Sequence, residues 1–414
     1  MIRQRQFTFI CIACAIVVLQ VSCKTNSEQS TEFAVNVRLP SEPENLHPML
    51  TNSSYGIQIA GQVLLPAAEF DPVSLQLTPL LITEVPKGEN INEGKHSGGK
   101  IYKMSFRPEA AWDNGSPVTA EDYLFTLKAV LNPYVNAPSL KSFLSFITEV
   151  KIDEADPKTV SVYIDSNYIL SLEIVTNFNI YPRHVYDPGN IMSHFSHEEL
   201  RDPNKKWTPE QDSLLKMFAD TFQSVRFLRD VVEGAGPYQF DSWVTGEYIT
   251  LKRKENWWGD KVTNPPLLLH GYPQILTYRF ITDAATAEAA LKSGEIDIIS
   301  EVPPSSFLEM KEDPEWKDKF HFETPELLQI YYLELNNRDS ILADPRIRKA
   351  LAYSIDYDGI MNNLVVGLGK RATGPIHPQR SYYHKGLQPI KQNINRSLEL
   401  IKEAGWKDSN GNGT

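Results

Sequence analysis

The chain has 414 residues, with 52 acidic against 41 basic side chains and a formal charge of −11. That length fits two or three lobes and allows about three quarters of the unfolded surface to be buried, so no disulfide or metal staple is required. The acidic balance and the lack of any dense Lys/Arg block argue against nucleic acid as a partner, because phosphate binding needs a clustered basic face.

All three cysteines, Cys11, Cys14 and Cys23, fall in the opening MIRQRQFTFICIACAIVVLQVSC. Arg3 and Arg5 precede an apolar run over 7–19, which is the plan of a secretory signal and is short for a spanning helix. Ser22-Cys23 resembles the end of a bacterial lipoprotein signal, with Cys23 as the acylated first residue of the mature chain. Gln20 stands where such signals usually carry leucine, so cleavage near Ser22 or an uncleaved anchor also stays open. Once residues 1–23 are processed, only Cys23 remains, which excludes a disulfide framework, a thiolate metal site and a cysteine nucleophile. Residues 24–32, KTNSEQSTE, read as a polar tether.

Residues 33–39, FAVNVRL, alternate as a strand. Pro40, Pro43 and Pro48 then impose a fixed loop, since each proline sets its own φ and biases its predecessor towards extended backbone. Residues 101–107 alternate as a strand, Trp112-Asp113-Asn114-Gly115 forms a turn, and Thr119 caps a helix with Tyr123, Leu127, Val130 and Leu131 on one face. Pro133 marks its end. Residues 159–164, TVSVYI, alternate again. The run His194-Phe-Ser-His197-Glu198-Glu199 does not match H-E-x-x-H and reads as a loop or helix end with exposed histidines. No G-x-S-x-G elbow occurs, and an enzyme is not expected.

In "GAGPYQFDSWVTGEYITLKRKENWWG", residues 234–259, two alternating runs flank Thr245-Gly246-Glu247 and predict a β-hairpin. The Gly234-x-Gly236 pair enters a strand and offers no helix N-terminus, so it is no phosphate cradle. Lys252-Arg253-Lys254 reads as a solvated strand end, and Trp257-Trp258-Gly259 as packing against a neighbouring layer. Further on, 284–291 is a helix stopped by Ser293-Gly294, with a strand over 296–299. Asp344-Pro345 is an N-cap with proline at the first helical position, followed by Ile347, Ala350, Leu351 and Ile355 on one face. Asp356 restarts a helix that closes at Gly367. The tail Asp408-Ser-Asn-Gly-Asn-Gly resembles the start of an EF-hand loop, but its twelfth-position Glu would lie past Thr414, so it reads as a turn. No metal or cofactor is expected.

The order of these pieces resembles the oligopeptide/dipeptide-binding proteins of ABC transporters, extracellular solute-binding family 5. The resemblance runs from about residue 35 to 414. It is carried by LPSEPENLHP (39–48), YKMSFRPEAAWDNGSPVTAEDYLFTLKAVLNP (102–133), YPRHVYD (181–187) and the 234–260 hairpin. LKSGEIDI (291–298), DPRIRKALAYSIDYDGIMNNLVVGLGKRATGPIHP (344–378) and LIKEAGWKD (400–408) complete it. The resemblance implies an α/β fold of the two-lobed periplasmic-binding-protein type (class II) with an extra subdomain and an incomplete second lobe. Lobe I is expected from 33–60 and 180–280, the extra subdomain from 61–179, and lobe II from 281–414.

It also implies capture of peptides or similar small solutes outside the cytoplasmic membrane by a lipid-anchored monomer, and delivery to a permease with its ATPases. Extended peptides can be held through main-chain hydrogen bonds, with side chains in hydrated pockets. A buried terminal charge needs a fixed partner. In peptide-binding relatives the amino terminus meets an Asp in a Trp-x-x-Asp motif well after EAGW. This chain stops shortly past Trp406, so it is expected to be truncated and to bind ligand poorly alone. The ligand-facing residues implied are Ser54, Tyr55 and Gly56 in a loop, Phe143 and Phe146 in the extra subdomain, and Gln329, Tyr331 and Tyr332 on a strand entering lobe II. A peptide-sensing receptor and a metal-chelate (nickel-type) binder share this cleft and remain as alternatives.

Overall fold

The computed structural model describes residues 33–165, 168–327, 329–380, 382–409 and 411. The signal segment, Cys23 and the tether lie outside the described residues. The strands are β1 (Ala34–Leu39), β2 (Ala68–Phe70), β3 (Leu77–Pro79), β4 (Glu89–Asn90), β5 (Lys100–Ser105), β6 (Ile147–Ile152), β7 (Thr159–Ile164), β8 (Tyr238–Val244), β9 (Tyr248–Arg253) and β10 (Ile275–Phe280). They form a sheet ordered β1-β10-β9-β8, a β2-β3 pair and a sheet ordered β4-β5-β7-β6.

The first sheet is mixed. β1 runs parallel to β10 with Val37 opposite Tyr278, and β10, β9 and β8 are antiparallel. Parallel neighbours need a long crossover, and here it contains the whole β4-β5-β7-β6 sheet. Val37, Arg38 and Leu39 are all buried, so the end of β1 is covered on both faces and loses the alternation of its sequence. One contiguous apolar core joins both larger sheets, from Val37 to Tyr278. A separate small cluster of Ala290, Leu291, Ile296, Met310 and Trp316 follows.

The 234–259 stretch is a hairpin. Gly234 and Gly236 let its entry lie against the 62–63 backbone: Gly236 N–H donates to the Val63 carbonyl at 2.7 Å, and a Cβ on Gly236 would stand 2.5 Å from the Gln62 oxygen. The indole N–H groups of Trp257 and Trp258 both donate to the Ala235 carbonyl, at 2.9 and 2.7 Å. The pair therefore fixes the hairpin entry as well as filling space. Gly246 turns the hairpin at φ +75°, where a Cβ meets nothing but pays for left-handed backbone. Gly246→Ala is expected to lose about 1–2 kcal/mol of stability, read as a lower denaturation midpoint with unchanged slope.

Helix starts follow their caps. The Ala120–Leu131 helix is held at its N-terminus by Asp122, whose carboxylate accepts from the Thr119 N–H (3.0 Å) and hydroxyl (3.2 Å) and from the Trp112 indole (3.2 Å). The Pro345–Ser354 helix opens on Asp344, which accepts from the Arg346 N–H at 2.8 Å. It packs on the Ile394–Glu403 helix, where the Ser397 hydroxyl donates to the Ala350 carbonyl at 2.8 Å.

Several expectations are corrected. Residues 296–299 form no strand; Ile298 makes a single parallel bridge to Val37 beyond the edge of β1. Lys254 is not solvated: it is buried, with its ammonium on the Gly234 carbonyl (2.6 Å) and paired with Asp113 (2.5 Å). Burial pulls its pKa down while Asp113 opposes the shift. His197 is not exposed. It is buried on the Ala120–Leu131 side of its short helix, and neither ring nitrogen has a hydrogen-bond partner. Burial, then Arg201 and Lys128, lower its pKa to about 4. Residues 54–56 are not a loop but the first turn of the Ser54–Ala60 helix, and 329–332 are extended without pairing to any described strand.

Candidate functional site

Two segments leave the first sheet towards the C-terminal part of the chain: one after β10, over 281–283, and one over 298–303. Arg38, on β1 and 4 % exposed, ties both together. Its Nε donates to the Ile281 carbonyl at 2.8 Å, Nη2 to Thr282 at 3.1 Å and Nη1 to Ser300 at 3.3 Å. Its backbone N–H adds a bond to the Ile298 carbonyl at 2.9 Å. The planar fork of arginine suits this task, because one rigid group satisfies acceptors on two segments.

Directly after Ser300, Glu301 adopts a left-handed φ of +55°. Its carboxylate accepts a 2.9 Å hydrogen bond from the hydroxyl of Tyr55 on the Ser54–Ala60 helix. Partial burial and this bond raise the Tyr55 pKa, and Tyr331 adds to the shift through space. Ser53 starts the helix by accepting from Gly56 N–H. A Cβ on Gly56 would stand 2.5 Å from the Asn45 carbonyl, so this glycine lets the helix seat on the proline-rich loop.

Beside this helix lies a depression of about 200 Å³ lined by Met49, Ile57, Glu69, Leu140, Asn177 and Phe178 among others. The Phe146 and Tyr168 rings stack in parallel, with centroids 4.3 Å apart. Phe143 turns inward against the core. The Arg380 guanidinium lies 3.9 Å over the Phe70 ring. Burial, then the charges of Glu173 and of the Tyr168 hydroxyl, raise the Tyr382 pKa.

Of the expected ligand-facing residues, the structure brings Ser54, Tyr55 and Gly56 to one helix start and Phe146 to an exposed stack. Gln329 is exposed, and Tyr331 and Tyr332 stand 88 % and 73 % exposed with no strand to hold them. Sequence reasoning missed Arg38, Glu301, Ile57, Leu140, Phe178 and Arg380. Only the packing of distant segments brings them to the same place.

Residues 76–414 match the family model described as bacterial extracellular solute-binding proteins, family 5 Middle. The chain belongs to this family. Among its relatives, the oligopeptide-binding protein AppA of Bacillus subtilis is 23 % identical over 318 residues, covering 76 % of this chain and 50 % of AppA. The oligopeptide-binding protein OppA of the same organism is 23 % identical over 421 residues, covering 97 % of this chain and 67 % of OppA. The family 5 chain thus spans between half and about two thirds of the length of these relatives.

Among solved structures, B. subtilis AppA in complex with a nonapeptide superposes with a TM-score of 0.63 at 20 % identity, covering 92 % of this chain and 65 % of that one. NikZ from Campylobacter jejuni in complex with Ni(L-His) gives 0.63 at 21 %, covering 91 % and 64 %. These likenesses establish the α/β periplasmic-binding-protein fold. Among the described residues no helix is long and apolar enough to cross a membrane, and no group of three or more His, Cys, Asp or Glu side chains is placed to hold a metal ion.

Proposed function

We propose that this family 5 protein captures short peptides, or similar small solutes, between its lobes on the outer side of the cytoplasmic membrane and hands them to an ABC permease. The family match over 76–414 carries this reading, supported by relatives named for oligopeptide binding. In the proposed arrangement 33–60 and 180–280 build lobe I, 61–179 the extra subdomain and 281–414 the second lobe. Cys23 carries the lipid anchor, and the protein acts as a monomer and is not an enzyme.

Ligand would lie along the depression, with Ser54 and Tyr55 at one end and Phe146 at the other. Tyr331, Tyr332 and Gln329 would close over it, and Gly56 and Phe143 would support from behind. Their wide exposure leaves these aromatic faces available for a ligand, and aromatic side chains give large contact area at low entropic cost. A peptide main chain offers donors and acceptors whatever its sequence. A metal chelate is the second reading, favoured by the likeness to NikZ with its nickel–histidine ligand.

The test is mass spectrometry, with metal analysis, of what denaturation releases from the natively purified full-length gene product. Short peptides of mixed sequence are expected. A single non-peptide solute or stoichiometric nickel would overturn the peptide assignment. An empty protein that also fails to retain any member of a peptide library would overturn capture itself.

A further inference from the structure

We propose that Arg380 and Phe70 form a clasp that holds the C-terminal part of the chain to the β2–β3 pair, and that both are positioning residues for solute capture. The inference rests on the two-lobed capture reading above and adds a contact that sets how often the lobes open.

Phe70 ends β2, opposite Leu77 of β3, and is half-buried. Its neighbour Glu69 lines the depression, and because successive side chains of a strand face opposite sides, the Phe70 ring lies on the other face of β2. Arg380 comes from the far C-terminal part of the chain. It ends a turn closed by its own N–H on the His377 carbonyl at 2.9 Å, and its carbonyl accepts from the Tyr383 N–H at 3.0 Å. That turn is braced from behind. Glu326 receives the Lys370 ammonium at 2.7 Å and the Gln379 amide at 3.0 Å, with His377 at 3.6 Å, and Thr373 bonds the Tyr383 hydroxyl at 2.9 Å. The guanidinium thus reaches the Phe70 ring from a fixed base. Among the described residues it makes no ion pair, and the ring face is the contact it makes at 3.9 Å.

A further tie between the N-terminal and C-terminal parts of the chain is the Tyr55–Glu301 bond, next to the crossing segments. The Arg380–Phe70 contact joins the 70 and 380 regions, far in sequence from those segments. An exposed cation–π contact changes an open-to-closed ratio by roughly two- to fivefold, and a population shift of that order changes apparent ligand affinity in proportion.

The experiment is single-molecule energy transfer on the whole protein without added ligand. One dye is placed at Val73, on the exposed β2–β3 turn, and one at exposed Leu387. Arg380→Gln and Phe70→Leu are each expected to raise the open fraction about two- to fivefold. The double variant should open no further than the more open single one. Arg380→Lys, which keeps a cation but not the planar stack, should fall between. Unchanged distances in Arg380→Gln, or additive effects in the double variant, would overturn the clasp. Both side chains are partly exposed, so the variants should melt where the parent does, which separates opening from unfolding. Because no ligand is used, the clasp can fail while solute capture stands. Conversely, an empty native protein would remove the capture reading and leave the distances as measured.

Discussion

Between about pH 7.5 and pH 5 the protein is expected to lose roughly 4 kcal/mol of stability to two buried histidines. His47 is enclosed by the rings of Tyr181, Tyr186 and Phe222, with centroid distances of 5.0, 6.1 and 4.6 Å. Its Nδ1 lies 3.2 Å from the Tyr181 hydroxyl, and its Nε2 has no partner. Burial lowers its pKa to about 3. His197, with both nitrogens unpartnered, is lowered to about 4. Both folded-state values lie below the unfolded value of 6.5. As pH falls through 6.5 the unfolded chain takes up two protons that the folded chain refuses. Stability is therefore complete above 6.5 and declines down to about 4 for His197 and about 3 for His47, by about 1.4 kcal/mol per pH unit for each histidine. Glu199 is held at about 2 by Lys205 and the Ser196 cap, so it adds its own loss only below the usual carboxylate range. Urea denaturation across this interval measures the slope. His47→Gln and His197→Gln should each remove about half of it, whatever they do to stability at pH 7.5. A flat profile from pH 7.5 to 5 would show that both rings are solvated or already protonated in the folded state.

Much of the fold was legible because local rules and tertiary structure agree. The 238–253 hairpin shows period-two alternation and a glycine where φ must be positive. The 120–131 helix carries a capping residue, an acidic first turn and an apolar face. β7 coincides with its alternating run, Thr159–Ile164. Two of the misreadings share one cause: they concern polar groups whose burial depends on a distant partner. Lys254 looks solvated beside Lys252 and Arg253 until Asp113 and the Gly234 carbonyl are brought to it. His197 looks exposed in a polar run until the 120–131 helix covers it. The strand over 296–299 reduces to one bridge because Ile298 meets β1 for a single residue. Of the candidate site, Tyr55 was read as part of a loop and stands on the first turn of a helix, while Phe146 stands in an exposed stack with Tyr168. Glu301, Arg38 and Arg380 carry no local signature, because each acts on backbone or side chains far away in the chain.

Arg38→Met should cost about 3 kcal/mol and, more tellingly, should loosen the two segments that leave the first sheet. Methionine can retain most of the apolar stem packing, so the loss falls on the hydrogen bonds. Three carbonyls, of Ile281, Thr282 and Ser300, lose a charged donor at 2.8, 3.1 and 3.3 Å. Bonds to charged groups contribute about 1.5–3 kcal/mol each, and removal of a buried charge that has no ion pair among the described residues returns part of that sum. Lysine at this position keeps the charge but cannot span the two segments with one rigid fork, so Arg38→Lys should recover less than half of the loss. Hydrogen exchange is the discriminating measurement. The Arg38 and Ile298 amides, which join β1 to the 298–300 segment, should exchange faster in Arg38→Met than global unfolding accounts for. The first residues of β8, Tyr238–Phe240, on the opposite edge of the β1-β10-β9-β8 sheet, should change only with global stability. If all amides change equally, Arg38 acts as an ordinary core residue and the hinge is held by backbone bonds alone. If the effect is confined to 281–283 and 298–301, then Glu301, the residue after Ser300, depends on Arg38 for its reach to Tyr55. The Tyr55–Glu301 contact is then set from β1.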